Sequence, residues 1–307
     1  GRIAKRFLPE LQTVDGMEVA GVYTPHTESG QAFADQYQVP YWETKEEFFQ
    51  KVDAIYIASP HKTHIPYVME ALSVRKHVLC EKPMALQEED AVRAIALAEE
   101  KHLVLLEGIK TAYAPGYQKI LELIHSGVIG KVGEVEACFT KLENPQSREL
   151  TDVRYGGSFT ELGSYVMLPI FKLFGSQFED VRFDMVKDEN GIDLFTKAHF
   201  RYANGMGTAT CGLGVKAEGR LMISGTKGYI IVEAPWWKTT YFEVHYENPG
   251  VVEKFSDRFL GDGLRYEVSD FLSMINGNSK SEFKLTRGES MAMAEVMERF
   301  LKENGRG

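Results

Sequence analysis

The sequence predicts an α/β protein in two parts. A doubly wound parallel sheet occupies residues 1–110, and an α+β unit with a large, open, mainly antiparallel sheet occupies 111–307. Three observations carry that prediction. The first hundred residues alternate short apolar runs with amphipathic stretches, as parallel strands covered by helices on both faces do. After about residue 110, strand-like runs follow one another with few helices between them, as in antiparallel sheets. The length of 307 residues, with 44% hydrophobic and 26% charged, suits two globular domains with apolar material for real cores.

Taken in order, Gly1-Arg2-Ile3-Ala4 leads into a helix. Met17-Glu18-Val19-Ala20-Gly21-Val22-Tyr23 reads as a strand ended by Thr24-Pro25, and 28–37 as a short helix. Val52-Asp53-Ala54-Ile55-Tyr56-Ile57-Ala58 is a second strand, rich in β-branched and aromatic residues and stopped by Ser59-Pro60. Residues 64–75 place Ile65, Val68, Met69 and Leu72 on one helical face. His77-Val78-Leu79-Cys80 is a third strand, and 87–101 form a helix burying Ala91, Val92, Ile95 and Ala98. Its acidic opening, Gln87-Glu88-Glu89-Asp90, suits a helix N-terminus. Leu103-Val104-Leu105-Leu106 is a fourth strand. Beyond it, a helix carrying Tyr117, Ile120, Leu121 and Ile124 stops at Ser126-Gly127. Strands follow at 132–140, 180–186, 193–202, 206–214, 220–224, 228–233 and 240–246, interrupted by one helix after Gly156-Gly157. Helices near 263–276 and 287–303 close the chain. There is no repeat, low-complexity tract or long linker, so both parts are expected to pack as one unit.

Composition removes several function classes. Thirty-five Lys+Arg against 44 Asp+Glu leave a net charge of −9, which has no attraction for a phosphate backbone, so nucleic acid is not an expected partner. No run approaches the ~20 apolar residues of a membrane helix, so no membrane partner is expected. Cys80, Cys138 and Cys211 form neither a disulfide framework nor a zinc spacing. That usage favours a reducing compartment, and a cytoplasmic location is expected. The sequence starts without an initiator Met, so it does not decide whether a targeting segment precedes it.

Four stretches could carry chemistry. Gly1-Arg2-Ile3-Ala4 is either a ragged lead-in to a helix or the tail of a G-x-G-x-x-G/A turn, with Gly1 and Ala4 as its second and third small positions. The alternating pattern that follows favours the turn, whose first strand and first glycine would then lie upstream. Ser59-Pro60-His61-Lys62-Thr63-His64 follows a parallel strand, and ligands bind beyond the carboxyl ends of such strands. His61 and His64 are three apart, but no carboxylate or Cys lies near enough in sequence to complete a metal set. Helix capping or exposure suits them better, with His64 also able to face a cofactor. Glu81-Lys82-Pro83 directly follows the strand ending in Cys80; as a bare tripeptide it reads as a surface turn, and its conjunction with that strand and with Ile-Ala-Ser-Pro-His points it into the same crevice. Finally, in Gly156-Gly157-Ser158-Phe159-Thr160-Glu161-Leu162-Gly163-Ser164-Tyr165, Ser158 and Glu161 fit a capping box. Gly163 within a helix costs roughly 1 kcal/mol relative to Ala, so close approach of a ligand or another backbone is expected there. Tyr165 is either a core tyrosine with a satisfied hydroxyl or a reactive one.

In this order and spacing the four stretches resemble the Gfo/Idh/MocA oxidoreductase family. Residues 52–83 are similar to its pattern of apolar strand, Ala-Ser/Thr-Pro, His, helix and Lys-His-Val-Leu-Cys-Glu-Lys-Pro; Gly225-Thr226-Lys227-Gly228-Tyr229-Ile230 resembles a turn of its second domain. Gly-Gly-Ser…Gly-Ser-Tyr resembles the branch containing glucose–fructose oxidoreductase and dihydrodiol dehydrogenase, where Tyr replaces the His of inositol dehydrogenase. The resemblance spans nearly the whole chain. It implies a Rossmann domain binding NAD or NADP, and a substrate domain acting reversibly on a secondary alcohol of a small molecule, a sugar, polyol or dihydrodiol. It also implies pairing through the second sheet into a homodimer or homotetramer. Cofactor contacts then fall to Gly1, Arg2, Ile3, Ser59, Pro60, His61, His64, Glu81 and Lys82, with no metal.

The side chains suit that chemistry. Removing hydride from an alcohol carbon needs a base for the hydroxyl proton. Tyrosine titrates near ~10, and lowering it by two units takes about 2.7 kcal/mol. One ammonium roughly 4 Å away supplies about 4 kcal/mol at an effective dielectric near 20, before desolvation subtracts its share. Tyr165 is therefore expected as general acid/base, and Lys82 as its electrostatic partner and substrate orienter.

The sequence departs from the family pattern at several points. The strand 17–23 ends in Tyr23-Thr24-Pro25, with neither the acid that holds a ribose 2′-hydroxyl nor an Arg for a 2′-phosphate, so NAD against NADP stays open. Ala112 stands where many relatives have Arg, with Lys110 nearby as a substitute. Leu168 stands where the His branch carries Asp. A non-catalytic sensor keeping the cofactor pocket is the alternative, and retention of both Lys82 and Tyr165 argues against it. Gly205-Met206-Gly207 and Gly212-Leu213-Gly214 read as sheet glycines rather than phosphate loops. Trp236-Trp237 could stack on a sugar ring, but burial against the sheet or a subunit interface is the better reading, and Cys80 and Cys138 read as inert core.

Overall fold

The computed structural model describes residues 1–278 and 283–306. In its first part, α1 (Arg2–Leu11), α2 (Thr27–Tyr37) and α3 (Lys45–Lys51) precede β1 (Ala54–Ile57). There follow α4 (His64–Ser73), β2 (His77–Glu81), α5 (Glu88–Glu100) and β3 (Leu105–Gly108). The three strands form one parallel sheet in the order β1-β2-β3. Then come α6 (Pro115–His125), β4 (Val132–Thr140), α7 (Arg148–Thr151) and α8 (Ser158–Phe174). After them run β5 (Asp180–Lys187), β6 (Asp193–Tyr202), β7 (Gly205–Gly212), β8 (Leu221–Gly225) and β9 (Gly228–Val232). The chain closes with β10 (Tyr241–Tyr246), β11 (Val252–Ser256), α9 (Leu264–Ile275) and α10 (Arg287–Glu303). The second sheet has eight strands in the order β11-β10-β9-β8-β4-β7-β6-β5, all neighbours antiparallel except β4 and β7.

Most expected elements form, and the differences have local causes. Residues 17–23 are not a strand. Only Val22 makes a bridge, to Tyr41, with Val22 N–H donating to Pro40 and Trp42 N–H donating to Val22. A strand needs a neighbour to satisfy its backbone groups, and among the described residues β1 pairs with β2 alone. β3 starts two residues later than expected, because Leu103 N–H donates back to Ala98 and is spent closing α5. Val92, expected in the core, is 43% exposed, while Ala91, Ile95 and Ala98 are buried. α3 and the edge strand β11 went unanticipated; β11 alternates exposed Glu253 and Lys254 with half-buried Val252 and Phe255. Cys138 is half-buried rather than core, whereas Cys80 is fully enclosed. Among the described residues, no helix is long and apolar enough to cross a membrane.

α8 organises the second part. It packs on β4, β6 and β7 with one face and on α10 with another. Gly163 permits the latter, since a Cβ there would come 2.8 Å from Met297 Cε. The helix begins at Gly157, whose φ of +103° is in glycine's territory. The expected Ser158–Glu161 capping box does not form. Ser158 sits one residue inside the helix, where its hydroxyl donates to the Asp193 carbonyl and accepts from Leu213 N–H, both at 2.9 Å. Asp193 takes over the cap, its carboxylate accepting from Phe159 N–H at 2.8 Å. A Cβ on Gly157 would fall 1.9 Å from Asp193 Oδ1. Gly157→Ala is therefore expected to destabilise the fold by about 2–4 kcal/mol, combining backbone strain with loss of the cap. Urea unfolding with an unchanged midpoint would contradict this.

Candidate active site

Parallel strands deliver their carboxyl ends to one edge, and the candidate residues gather there. β1 runs into Ser59-Pro60 and the 3₁₀ turn His61–Thr63, β2 into Lys82-Pro83, and the start of α1 lies against the carbonyl of Ala58. α8 approaches from the second part, carrying Glu161 and Tyr165 one turn apart on the same face. Gly1, Arg2, Ile3, Ser59, Pro60, His61, His64, Glu81, Lys82 and Tyr165 all border one cavity of about 2230 Å³.

At its centre the Lys82 ammonium donates to the Glu161 carbonyl at 2.7 Å and to Glu161 Oε1 at 3.1 Å. The same nitrogen lies 5.8 Å from the centroid of the Tyr165 ring. His61 Nε2 stands 3.4 Å from the other Glu161 oxygen. Burial alone would raise the Glu161 acid, but Lys82 and His61 outweigh it and hold the carboxyl well below the usual range. Sequence reasoning took Glu161 for a cap and missed it here; its i, i+4 spacing from Tyr165 was the available signal.

The Tyr165 phenol differs from expectation. Burial, Glu81 and Glu267 push its pKa well above the ordinary value, with Arg6 pulling the other way. The lowering expected from Lys82 does not prevail, and Glu161 raises the phenol further. Three further candidates are engaged by the protein itself. His64 is buried, with Nδ1 2.8 Å from the Pro83 carbonyl and Nε2 2.9 Å from that of Ser59. Burial and His61 lower its pKa to about 4; the neutral ring donates to one of these two carbonyls, and both nitrogens face the protein's own strand ends. Glu81 accepts from the Tyr56 hydroxyl at 2.6 Å and from Lys82 N–H at 3.3 Å, and its burial raises its pKa. Arg2 is paired with Glu143 at 3.1 Å and Glu149 at 2.5 Å. Among the described residues, no cluster of His, Cys, Asp and Glu is arranged for a metal ion.

The wall beside Tyr165 is aromatic. Phe139 meets it edge-on with centroids 5.3 Å apart, and Trp237 stacks on Phe139 at 3.5 Å. Trp236 is fully buried as expected, its indole N–H donating to the Cys138 carbonyl at 2.9 Å. Its neighbour Trp237 borders the cavity, which corrects the shared burial expected for the pair. Lys110, Lys238 and Arg6 border the cavity as well.

Comparison with known proteins agrees with this architecture. Residues 1–109 match the model of an oxidoreductase family with an NAD-binding Rossmann fold, and 117–231 match the GFO/IDH/MocA C-terminal domain. The chain is 27% identical over 317 residues to trans-1,2-dihydrobenzene-1,2-diol dehydrogenase of Homo sapiens, covering 99% of this chain and 95% of that protein. It is 24% identical over 322 residues to the Danio rerio enzyme of the same name, at 99% and 95% coverage. Among solved structures it is similar to a UDP-N-acetylglucosamine 3-dehydrogenase from Acidithiobacillus ferrooxidans, with TM-score 0.81, 21% identity, and coverage of 98% of this chain and 94% of that one. It is also similar to a 3-ketoreductase from Actinomadura kijaniata solved with NADP and TDP-benzene, with TM-score 0.79, 20% identity, and coverage of 96% and 92%. Both structural matches speak to the fold. With both of the family's domain models matched in sequence order, the chain belongs to the Gfo/Idh/MocA oxidoreductase family.

Proposed function

We propose that this protein is an NAD(P)-dependent oxidoreductase that interconverts a secondary alcohol and a ketone on a sugar, polyol or dihydrodiol. The observation that carries the reading is the Lys82 ammonium placed 5.8 Å from the Tyr165 ring, in the cavity that also receives the start of α1. The dinucleotide-bearing part is residues 1–110 and the substrate-bearing part 111–307.

The residues present suit the cofactor. α1 opens at Gly1 with no side-chain cap, so its first N–H groups are free to meet an anion such as a pyrophosphate. Gly1, Arg2 and Ile3 would hold that group, with Ser59, Pro60 and His61 along the strand end. When bound, the nicotinamide supplies the hydride acceptor or donor. Tyr165 exchanges the proton of the substrate oxygen, and Lys82 steadies the negative charge that develops on it. Glu161 fixes Lys82 in position through its carbonyl and carboxylate. Trp237 and Phe139 offer a flat apolar wall for the substrate ring. The named activity of the dihydrobenzenediol dehydrogenases agrees with such a wall.

A nicotinamide absorbance assay with sugars, polyols and diols tests the proposal. Substrate-dependent change at ~340 nm is expected for at least one ring diol or sugar. Dinucleotide binding with no turnover across the panel would point to the non-catalytic sensor instead. The protein is further proposed to be cytoplasmic and to pair through the open face of the eight-stranded sheet, as a homodimer or homotetramer. A monomer by light scattering at micromolar concentration would contradict the pairing.

A further inference from the structure

One wall of the cavity carries more positive charge than the protein itself balances. Arg6, Lys110 and Lys238 all border the cavity and converge on one acidic residue, Asp262. Arg6 binds its carboxylate through two nitrogens at 2.6 and 2.7 Å, and Lys238 reaches it at 3.4 Å. Lys110 donates instead to the Asp262 main-chain carbonyl, and among the described residues no carboxylate forms an ion pair with it. It is only 5% exposed, and burial lowers its pKa to about 8 against the through-space pull of Glu267 and Asp262, so the ammonium is nearly enclosed with no carboxylate in contact among the described residues. Of the nearby acids, Glu10 is spent on Arg265 at 2.8 Å. Glu267 acts on Lys110 only through space; among the described residues both its oxygens lack a hydrogen-bond partner, and burial together with Glu81 raises its pKa against the opposing pull of Lys110. Three cations thus face one carboxylate. On the opposite side the Lys82 charge is matched by Glu161.

The surplus borders the same cavity as the reacting group. Arg6 is close enough to act on the Tyr165 phenol, and Lys238 directly follows Trp237, the aromatic wall. Resting on the alcohol–ketone reading for where the substrate sits, we infer that the substrate is an anion. Its carboxylate or phosphate is received by Lys110, Lys238 and Arg6 while its hydroxyl-bearing carbon reaches Tyr165. A buried ammonium held only by a neutral carbonyl is a costly arrangement in a cavity wall, and an arriving anion relieves it.

Matched ligands test this on the full chain loaded with NADP. Glucose is compared with glucuronate and with glucose 6-phosphate, and glycerol with glycerate and with glycerol 3-phosphate, by titration calorimetry and by nicotinamide absorbance. In at least one set an acid is expected to bind tenfold or more tightly than its neutral partner, the two acids separating carboxylate from phosphate. Lys110→Met and Lys238→Met are each expected to shrink that ratio at least tenfold; Lys238, half-exposed, keeps the test alive should the buried variant misfold. Equal affinity for acid and neutral partners, or ratios untouched by both variants, would overturn the inference. Acids that bind through these lysines without any turnover would leave the anion site standing and sink the oxidoreductase reading alone.

Discussion

Tyr165→Phe is expected to lower turnover by about a thousandfold, within the range lost with a general acid–base, while dinucleotide affinity changes less than twofold. The substitution removes one oxygen and keeps the ring, so the edge-on contact with Phe139 and the packing of α8 survive. Circular dichroism and cofactor titration separate that outcome from misfolding. The pH dependence carries a sign. Burial, Glu81 and Glu267 raise the phenol pKa, so at neutral pH the group holds its proton and stands ready as an acid. With substrate saturating, ketone reduction should therefore be nearly independent of pH from about pH 6 to about pH 9, while alcohol oxidation, which needs the deprotonated form, should climb by up to tenfold per unit. Near-normal oxidation by the Phe variant, or a flat oxidation profile in the native protein, would remove Tyr165 from the chemistry.

Lys82→Met should be nearly as damaging to turnover, by about a hundredfold or more, through loss of charge stabilisation at the developing oxyanion. It should also unsettle the fold, because Lys82 and Glu161 are only 11% and 17% exposed and the carboxylate would lose its main partner. Breaking such a pair by removing one member costs about 3–5 kcal/mol when fully buried, and somewhat less at this exposure. The double variant Lys82→Met/Glu161→Gln removes the stranded charge. It should regain most of the stability by urea unfolding and none of the turnover. Recovery of both together would mean that Lys82 only maintains structure.

How much of this was legible in advance depended on range. The strands 132–140 and 193–202 appear where their alternation placed them, because each has neighbours on both sides to satisfy its backbone. Residues 17–23 carry the same local signal and fail for want of a pairing neighbour. Local rules also misplaced the head of α8. Nothing near Ser158 reveals that Asp193, far along the chain, supplies the cap and so frees Glu161 for Lys82. Within the site, the conjunction of Ser59 to His64, Glu81-Lys82 and Tyr165 was readable as motif. The Glu161–His61 contact, the Trp237 wall and the convergence on Asp262 were not, since each joins residues that only the tertiary fold brings together.

The parallel contact of β4 with β7 has a kinetic meaning. Glu134 lies opposite Met206 on one side and Ser224 on the other, so the middle of the large sheet cannot zip until most of the second part has been synthesised. Closing so long a loop adds little to the equilibrium cost, which grows only as the logarithm of its length, yet such distant pairings are slow to find. α8 rests on those very strands. Tyr165 therefore takes up its station late on the pathway, well after the short-range helices and strands around Lys82 have settled.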